Sequence, residues 1–331
     1  MKGEPVGIGV IGCGRWGPNH IRVFSENEGS RPVACCDTDP DRVAAMKQRF
    51  RGIEACGSAE ELMARDDVDA VVIATPVSIH RELVEKAFRA GKDVLCEKPL
   101  SVSAAECREL GRLAASAGRI LMVGHVFLYN AGIARLKEGI DSGEVGDLHY
   151  LHATRTNLGP VRKDVGAAAD LATHDISILN WIVGGVPEVA AAAGGSFLQD
   201  RVEDVAFIDL RYPSGVLANI HVSWLDPVKV RRITAVGSKR MMVWDDLGPR
   251  GPIEIHDKRV VREDYSSFGE FQLLVREGEV SIPPVKMAEP LAAQARAFLD
   301  AVRERGSPVS DAEFAAGVAE VLEAVEERIG G

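Results

Sequence analysis

The sequence predicts an α/β chain: an N-terminal Rossmann-type, doubly wound parallel sheet, joined to a C-terminal α+β domain with a large, open-faced, mostly antiparallel sheet. Three observations carry this. A glycine-rich turn, Gly12-Cys13-Gly14-Arg15-Trp16-Gly17, follows the apolar run Pro5–Ile11. Short β-rich runs then alternate with helical stretches up to Gly124, the pattern of parallel strands linked by crossover helices. From Val186 onward β-rich runs dominate, which suits antiparallel pairing. A chain of 331 residues exceeds what one core usually organises. Two domains are therefore expected, residues 1–124 and 125–331, with the terminal helices free to pack back on the first.

The first strand, ending at Ile11, leads through the glycine turn into a helix expected over Pro18–Asn27. In a GxGxxG turn the glycines allow a tight bend, close approach of the backbone to a pyrophosphate, and close helix packing, while the helix N-terminus offers N–H donors. Arg15 and Trp16 lie within this turn. Arg31–Cys36 reads as the second strand and ends at Asp37, about twenty residues past the last glycine. A carboxylate there accepts from an adenosine ribose and repels a 2′-phosphate, so NAD is expected over NADP. The competing role for Asp37, capping the helix that starts near Pro40, suits Asp39 better.

A weak third strand is expected near Ile53, and Ser58-Ala59-Glu60-Glu61 opens a short helix with a capping-box pattern. Asp69–Ala74 is the fourth strand, ending in Thr75-Pro76 and followed by a helix over Ser78–Arg89. Within it His80 is expected at the surface of a helix start, with a role facing the cofactor kept open. The run Lys92–Cys96, after Gly91, reads as a fifth buried strand that delivers Glu97-Lys98-Pro99 at its carboxyl end, where open α/β sheets hold ligands. An ammonium at that place is costly to desolvate. It reaches solvent or a partner, adjacent Glu97 being a candidate, or it titrates as a general acid/base. A helix over Ser103–Ala117 and a strand over Arg119–Val123 complete the alternation, and Thr75, Pro76, Glu97 and Lys98 fall at neighbouring strand ends.

In the second half, a helix is expected over Asn130–Ile140 and a long strand over Asp147–Asn157. A polar loop, Gly159–Asp164, leads to an amphipathic helix over Ala168–Trp181. Asp170 and His174 are four apart and share a helical face, so that a carboxylate orients an imidazole, the pairing that general acid/base chemistry needs. The alternative for the pair is structural: an N-terminal Asp favoured by the helix dipole and a core His. Asp175 is expected to face elsewhere, solvated or as a local cap. Strands follow at Val189–Leu198, Val205–Arg211, Val216–Trp224, Val230–Val236 and Met241–Trp244, with a hairpin turn at Tyr212-Pro213-Ser214-Gly215. Alternation along Ala218–Trp224 leaves a polar and aromatic face suited to a pocket wall or a subunit contact. Weak strands over Ile253–Val261, a Pro-rich link at Ile282-Pro283-Pro284, and helices over Glu289–Arg305 and Ala312–Ile329 close the chain.

A net charge of -10 argues against nucleic acid or an anionic membrane as partner, since both are attracted by basic surface. An anionic small molecule stays open through a local basic pocket. The six cysteines lack paired CxxC spacing and lie mostly in apolar runs, so they read as reduced core residues, with no metal site and no disulfide frame. The start lacks the sections of a secretory signal and no apolar run is long enough to span a bilayer, so a cytoplasmic enzyme is expected.

Gly12-x-Gly14-x-x-Gly17 after a strand, Ala74-Thr75-Pro76, Glu97-Lys98-Pro99 and Asp170-x-x-x-His174 stand in the order and spacing of the glucose-fructose oxidoreductase and inositol dehydrogenase (Gfo/Idh/MocA) family, which the chain resembles along nearly its whole length. The resemblance implies hydride transfer between nicotinamide and a ring carbinol of a pyranose-type substrate. It implies that Lys98 and His174 share the proton work while Asp170 orients or relays, and that the protein assembles as a homodimer or homotetramer through the C-terminal sheet. Gly12, Gly14, Arg15, Trp16, Gly17, Asp37, Thr75, Pro76, His80, Glu97 and Lys98 would line the cofactor. Arg155–Val165 resembles the nucleotide-sugar branch, enzymes similar to UDP-N-acetylglucosamine 3-dehydrogenases. Arg162 and Lys163 would there hold a diphosphate, guanidinium forks being suited to it, or remain a solvated basic loop. Tyr129, Arg155 and Asn157 join Lys98, Asp170 and His174 as sugar-facing candidates. One departure is Ala167-Ala168-Ala169, where relatives in that branch carry a bulky aromatic near Ala169. The alternatives are a free-sugar or inositol dehydrogenase of the same family, and a non-catalytic NAD-binding sensor.

Overall fold

The computed structural model describes residues 4–264 and 271–330. The outermost residues of the two predicted domains, Met1–Gly3 and Gly331, lie outside the described residues. The chain divides into two compact units, Met1–Tyr129 with Ala288–Glu320, and Asn130–Met287 with Val321–Gly331. The first boundary thus falls after Tyr129 rather than after Gly124, and residues 288–320 belong with the first unit.

The first unit alternates as its sequence periodicity requires: β1 (Val6–Ile11), α1 (Gly17–Ser25), β2 (Ser30–Cys36), α2 (Pro40–Arg49), β3 (Glu54–Ala55), α3 (Ala59–Met63), β4 (Ala70–Ile73), α4 (His80–Arg89), β5 (Asp93–Cys96), α5 (Ala104–Ala117) and β6 (Leu121–Val123). All pairings are parallel, in the order β3-β2-β1-β4-β5-β6. Continuous apolar strands result because both sheet faces are covered. Along β4, Val71 and Ile73 join one core with Leu83, Val94 and Leu110, while Ala70 and Val72 join the other with Ile8, Phe24 and Leu95. Local signals set the helix starts. Asp39 caps α2 by accepting from Asp41 N at 3.0 Å. Ser58 caps α3 by accepting from Glu61 N, and Glu61 reaches back to Gly57 N, one residue further than a capping box prescribes.

The second unit contains α6 (Ala131–Asp141), β7 (Leu148–Leu158), α7 (Thr173–Val183), β8 (Glu188–Gly195), β9 (Val205–Arg211), β10 (Leu217–Ser223), β11 (Leu225–Gly237), β12 (Met241–Asp245), β13 (Ile253–Asp264) and β14 (Phe271–Ser281). The sheet order is β14-β13-β12-β11-β7-β10-β9-β8, antiparallel except where β10 runs parallel to β7. One face carries the core, with Ile208, Ile220, Ile233, Met242, Trp224 and Trp244 buried. The alternate positions Tyr150, Phe207 and Leu217 are exposed, and Phe207 stacks on His221 at 4.5 Å. Asn130 caps α6 and also accepts from Trp244 Nε1 at 3.3 Å, fastening the helix to the sheet.

Two expectations are corrected here. The strand expected over Ile253–Val261 is present and extends to Asp264 as β13, and it forms a long arm because it pairs antiparallel with β14, a strand missed in the sequence. Its charged residues, such as Arg276, Glu277 and Glu279, leave little apolar periodicity to read. The helix expected over Ala168–Trp181 begins as a π-helical turn, Ala168–Ala172, before α7 takes over. The Glu203 carboxylate accepts from Ala168 N at 3.1 Å at the start of that turn. The closing helices are α8 (Pro290–Glu304) and α9 (Ala312–Gly330). In the first unit, Phe298 of α8 meets Phe24 edge-on at 6.3 Å. Among the described residues no helix is long and apolar enough to cross a membrane.

Candidate functional site

The glycine turn sits between β1 and α1, beside the neighbouring strand β4, where the winding of the parallel sheet reverses direction. Gly12 has φ +95°, and a Cβ there would lie 2.5 Å from the Ala74 carbonyl oxygen. A Cβ on Gly17 would lie 2.1 Å from the Gly12 carbonyl oxygen. Both positions therefore demand glycine. A Cβ on Gly14 would meet only Arg42 Nη1, at 3.6 Å, so backbone is open to close approach at that point. No side chain caps the start of α1, and Arg15 and Trp16 are exposed beside it.

Asp37 closes the far side of the turn. Its carboxylate accepts from Cys13 N at 2.6 Å and from Asp39 N at 2.9 Å, and retains acceptor capacity for a ribose hydroxyl. Arg42, which the sequence reading did not single out, places Nη1 3.8 Å from this carboxylate. Its position in the first turn of α2 was the available signal. At the end of β4, Thr75 Oγ1 is buried without a partner, as expected of a group that meets a ligand. Open backbone at Gly14, the Asp37 carboxylate and the Thr75 hydroxyl together fit a dinucleotide.

Glu97 and Lys98 lie at the carboxyl end of β5, both half-buried. The Glu97 carboxylate, suggested as a partner for the Lys98 ammonium, lies 2.7 Å from His20 Nε2 of α1 and accepts from Lys98 N at 3.3 Å. His80 is not the surface residue expected. It is 1% exposed, with Nε2 2.9 Å from the Thr75 carbonyl oxygen and Nδ1 2.9 Å from that of Pro99. Tyr129 places its hydroxyl 3.3 Å from Ser310 Oγ within the first unit, and burial raises its pKa.

His125, also missed, follows β6 as Lys98 follows β5. It is buried, edge-on to Phe314 at 5.5 Å. Burial pushes its pKa down to about 3, and the Lys98 ammonium adds to the effect. A folded pKa below the ordinary 6.5 means that the unfolded chain takes up the proton first as pH falls. Stability that is full above pH 6.5 is lost progressively toward pH 3, by up to roughly 4–5 kcal/mol from this group. His125→Gln should flatten the fall of the urea midpoint between pH 6.5 and 4. An unchanged slope would exclude His125 as its source.

In the second unit the loop after β7 meets the π-helical turn that leads into α7. Arg162 donates from Nη1 to Asp170 Oδ1 at 3.0 Å and from Nε to Asp164 Oδ1 at 3.0 Å. The structure thus brings a predicted diphosphate ligand to a predicted proton-relay residue, with the guanidinium engaged by two carboxylates. Lys163 is exposed. His174 is half-buried in the first turn of α7, its carbonyl accepting from Ser177 Oγ at 2.7 Å. Asn157 donates its amide to the Gly159 carbonyl.

Arg155 and Asp175 overturn their expected roles. Arg155 is 3% exposed and donates from Nε and Nη2 to the two Asp175 oxygens at 2.8 and 2.9 Å, while Asp175 is 1% exposed. The expected sugar ligand and the expected solvated carboxylate are a buried, bidentate pair joining β7 to α7. A one-turn pattern on a helix shows which residues share a face but not which face meets a strand arriving from elsewhere in the chain. All six cysteines are buried and free.

Two domain descriptions of one family match the chain: the NAD-binding Rossmann fold of the GFO/IDH/MocA oxidoreductase family over residues 6–125, and the C-terminal domain of that family over residues 133–243. The chain is 36% identical over 185 residues to an inositol 2-dehydrogenase of Gluconacetobacter diazotrophicus, covering 54% of this chain and 55% of that protein. It is 31% identical over 224 residues to inositol 2-dehydrogenase 2 of Saccharopolyspora erythraea, covering 65% and 66%. The matches span about half to two thirds of the length of these curated relatives. The solved UDP-N-acetylglucosamine 3-dehydrogenase GnnA of Acidithiobacillus ferrooxidans shares the fold, with TM-score 0.81 at 24% identity over 98% of this chain and 97% of that one.

Proposed function

The chain belongs to the Gfo/Idh/MocA oxidoreductase family, and on that premise we propose that it is an NAD-dependent dehydrogenase that oxidises a ring carbinol of a sugar, or reduces the matching ketone. The observation that carries this reading is Lys98 at the carboxyl end of β5, one strand from the buried Thr75 hydroxyl and two from the glycine turn. When bound, the nicotinamide supplies the hydride acceptor or donor at its C4 position. The chain's own work is the hydroxyl proton. The Lys98 ammonium stabilises oxygen as it gains negative charge, and His174, with Asp170 four residues before it, serves as the second proton-handling group. Asp37 supports NAD over NADP, because a 2′-phosphate would face its carboxylate. Arg42, with Nη1 3.8 Å from the Asp37 carboxylate, works in the other direction.

For the substrate, a UDP-N-acetylhexosamine-type nucleotide sugar oxidised at C3 is the leading reading, with Lys163 and Arg162 as diphosphate ligands. The ion pairs that Arg162 makes with Asp164 and Asp170 favour the second reading, a free sugar or inositol, since a neutralised guanidinium attracts a diphosphate less. The exposed face bearing Tyr150, Phe207 and Leu217 supports docking of a second copy, which light scattering reads as twice the chain mass.

The test is near-ultraviolet absorbance of the purified protein with NAD or NADP and a panel of UDP-sugars, free hexoses and inositols, with the ketone trapped. Reduced nicotinamide is expected with NAD and a UDP-sugar. Signal only with polyols selects the second reading, faster turnover with NADP overturns the role of Asp37, and silence throughout overturns the dehydrogenase.

A further inference from the structure

Lys98 is flanked by two residues that are each tied to a buried histidine. On its N-terminal side the Glu97 carboxylate lies 2.7 Å from His20 Nε2. On its C-terminal side the Pro99 carbonyl lies 2.9 Å from His80 Nδ1. Each histidine is 1% exposed. They come from different helices, His20 from the α1 that follows the glycine turn and His80 from the first position of α4. The second ring nitrogen of His80 lies 2.9 Å from the Thr75 carbonyl oxygen, so the ring stands between the ends of the neighbouring strands β4 and β5, donating to one of the two carbonyls when neutral and to both when protonated. Loops at strand ends owe their position to such ties, and a side chain that must meet a reacting atom tolerates displacements of only about half an ångström.

We infer that His20 and His80 are positioning residues that grip the Glu97-Lys98-Pro99 turn from its two sides and hold the Lys98 ammonium in its working place. The inference rests on the reading of Lys98 as the group that handles the substrate hydroxyl. Neither histidine needs to touch substrate. His20 links the turn to the helix that starts at the dinucleotide-binding glycines, and His80 links it to the strand end carrying Thr75. Five atoms of the strand ends do this work: the two Glu97 carboxylate oxygens, the Thr75 and Pro99 carbonyl oxygens, and the backbone nitrogen of Lys98, which donates to Glu97 Oε2 at 3.3 Å. Gly124 completes the seat, because a Cβ at that position would come within 3.1 Å of Glu97 Oε2.

The experiment compares the full chain with His20→Ala, His20→Gln, His80→Ala and His80→Gln by two readouts. The first is steady-state kinetics across pH 6–9 with the carbinol found active, together with NADH affinity from nicotinamide fluorescence. In the alanine variants kcat is expected to fall about 10²-fold with NADH affinity within about threefold, a loss of orientation rather than of binding. Glutamine, which keeps an N–H donor, should restore at least tenfold of it. The second readout needs no substrate: hydrogen exchange of the segment 96–101 in the NAD-bound chain. Exchange is expected to accelerate there in both alanine variants, to return toward the parent rate with glutamine, and to stay unchanged in the second unit.

An unchanged rate in segment 96–101 for both alanine variants overturns the inference, as does an acceleration spread evenly over the whole chain. Equal kcat in variants and parent overturns it too. A parent chain that oxidises no carbinol overturns the function proposed for Lys98, and the exchange result then still decides whether the two histidines hold the turn.

Discussion

Lys98→Ala is expected to lower kcat by about 10²–10⁴-fold while leaving NADH affinity within about threefold, a split read by steady-state kinetics and fluorescence titration. The asymmetry follows from where each task is done. On the proposed reading the dinucleotide meets the glycine turn, the α1 N-terminus and Asp37, all of which lie at the ends of β1 and β2. Lys98 stands two strands away from β1 and three from β2, on the loop after β5. Removing its ammonium takes away charge stabilisation that matters most when the hydroxyl oxygen gains charge, so the transition state loses more than the ground state. Lys98→Arg should recover little, because a planar guanidinium neither matches the ammonium in shape nor gives up a proton. Turnover within twofold of the parent in Lys98→Ala would remove this residue from the chemistry.

Asp175→Ala is expected to destabilise the protein by about 3–5 kcal/mol, measured as a fall in the urea midpoint. Arg155 cannot discharge by losing its proton, so the variant leaves a guanidinium enclosed between β7 and α7 with its main counter-charge gone. The double variant Arg155→Met/Asp175→Leu should recover most of the loss, since two apolar groups of similar volume need no desolvated charge. A cost under about 1 kcal/mol for Asp175→Ala would show that water reaches the guanidinium. On the proposed reading of His174, function is touched as well. Asp175 follows His174 directly, so its bond to β7 anchors the turn of α7 that carries the imidazole.

Legibility of the fold tracked how local each signal is. Strand–helix alternation, the glycine turn, the Asp39 and Ser58 caps and the turn after Tyr212 all appear where the sequence placed them, because each depends on residues within one or two turns of chain. The arm of β13 and β14 was only half legible, since its strands carry charge on both sides and owe their form to pairing with each other. At the site, residue types and spacing marked Gly12, Asp37, Thr75 and Lys98. The partners of those residues were another matter.

By itself the sequence determined the order of the elements, the parallel first sheet, the glycine turn and the strand end on which Lys98 stands, because backbone geometry and hydrophobic period are written within short windows. Tertiary structure alone decided that Glu97 meets His20, 77 residues away in the chain. It likewise decided that His80 is a buried tie between two carbonyls, that His125 is held neutral, and that Arg155 turns inward to Asp175. The reason is physical. A polar side chain takes its role from whatever group ends up within about 3 Å of it after water is excluded, and that neighbour is set by the packing of distant segments, not by the residues beside it in sequence.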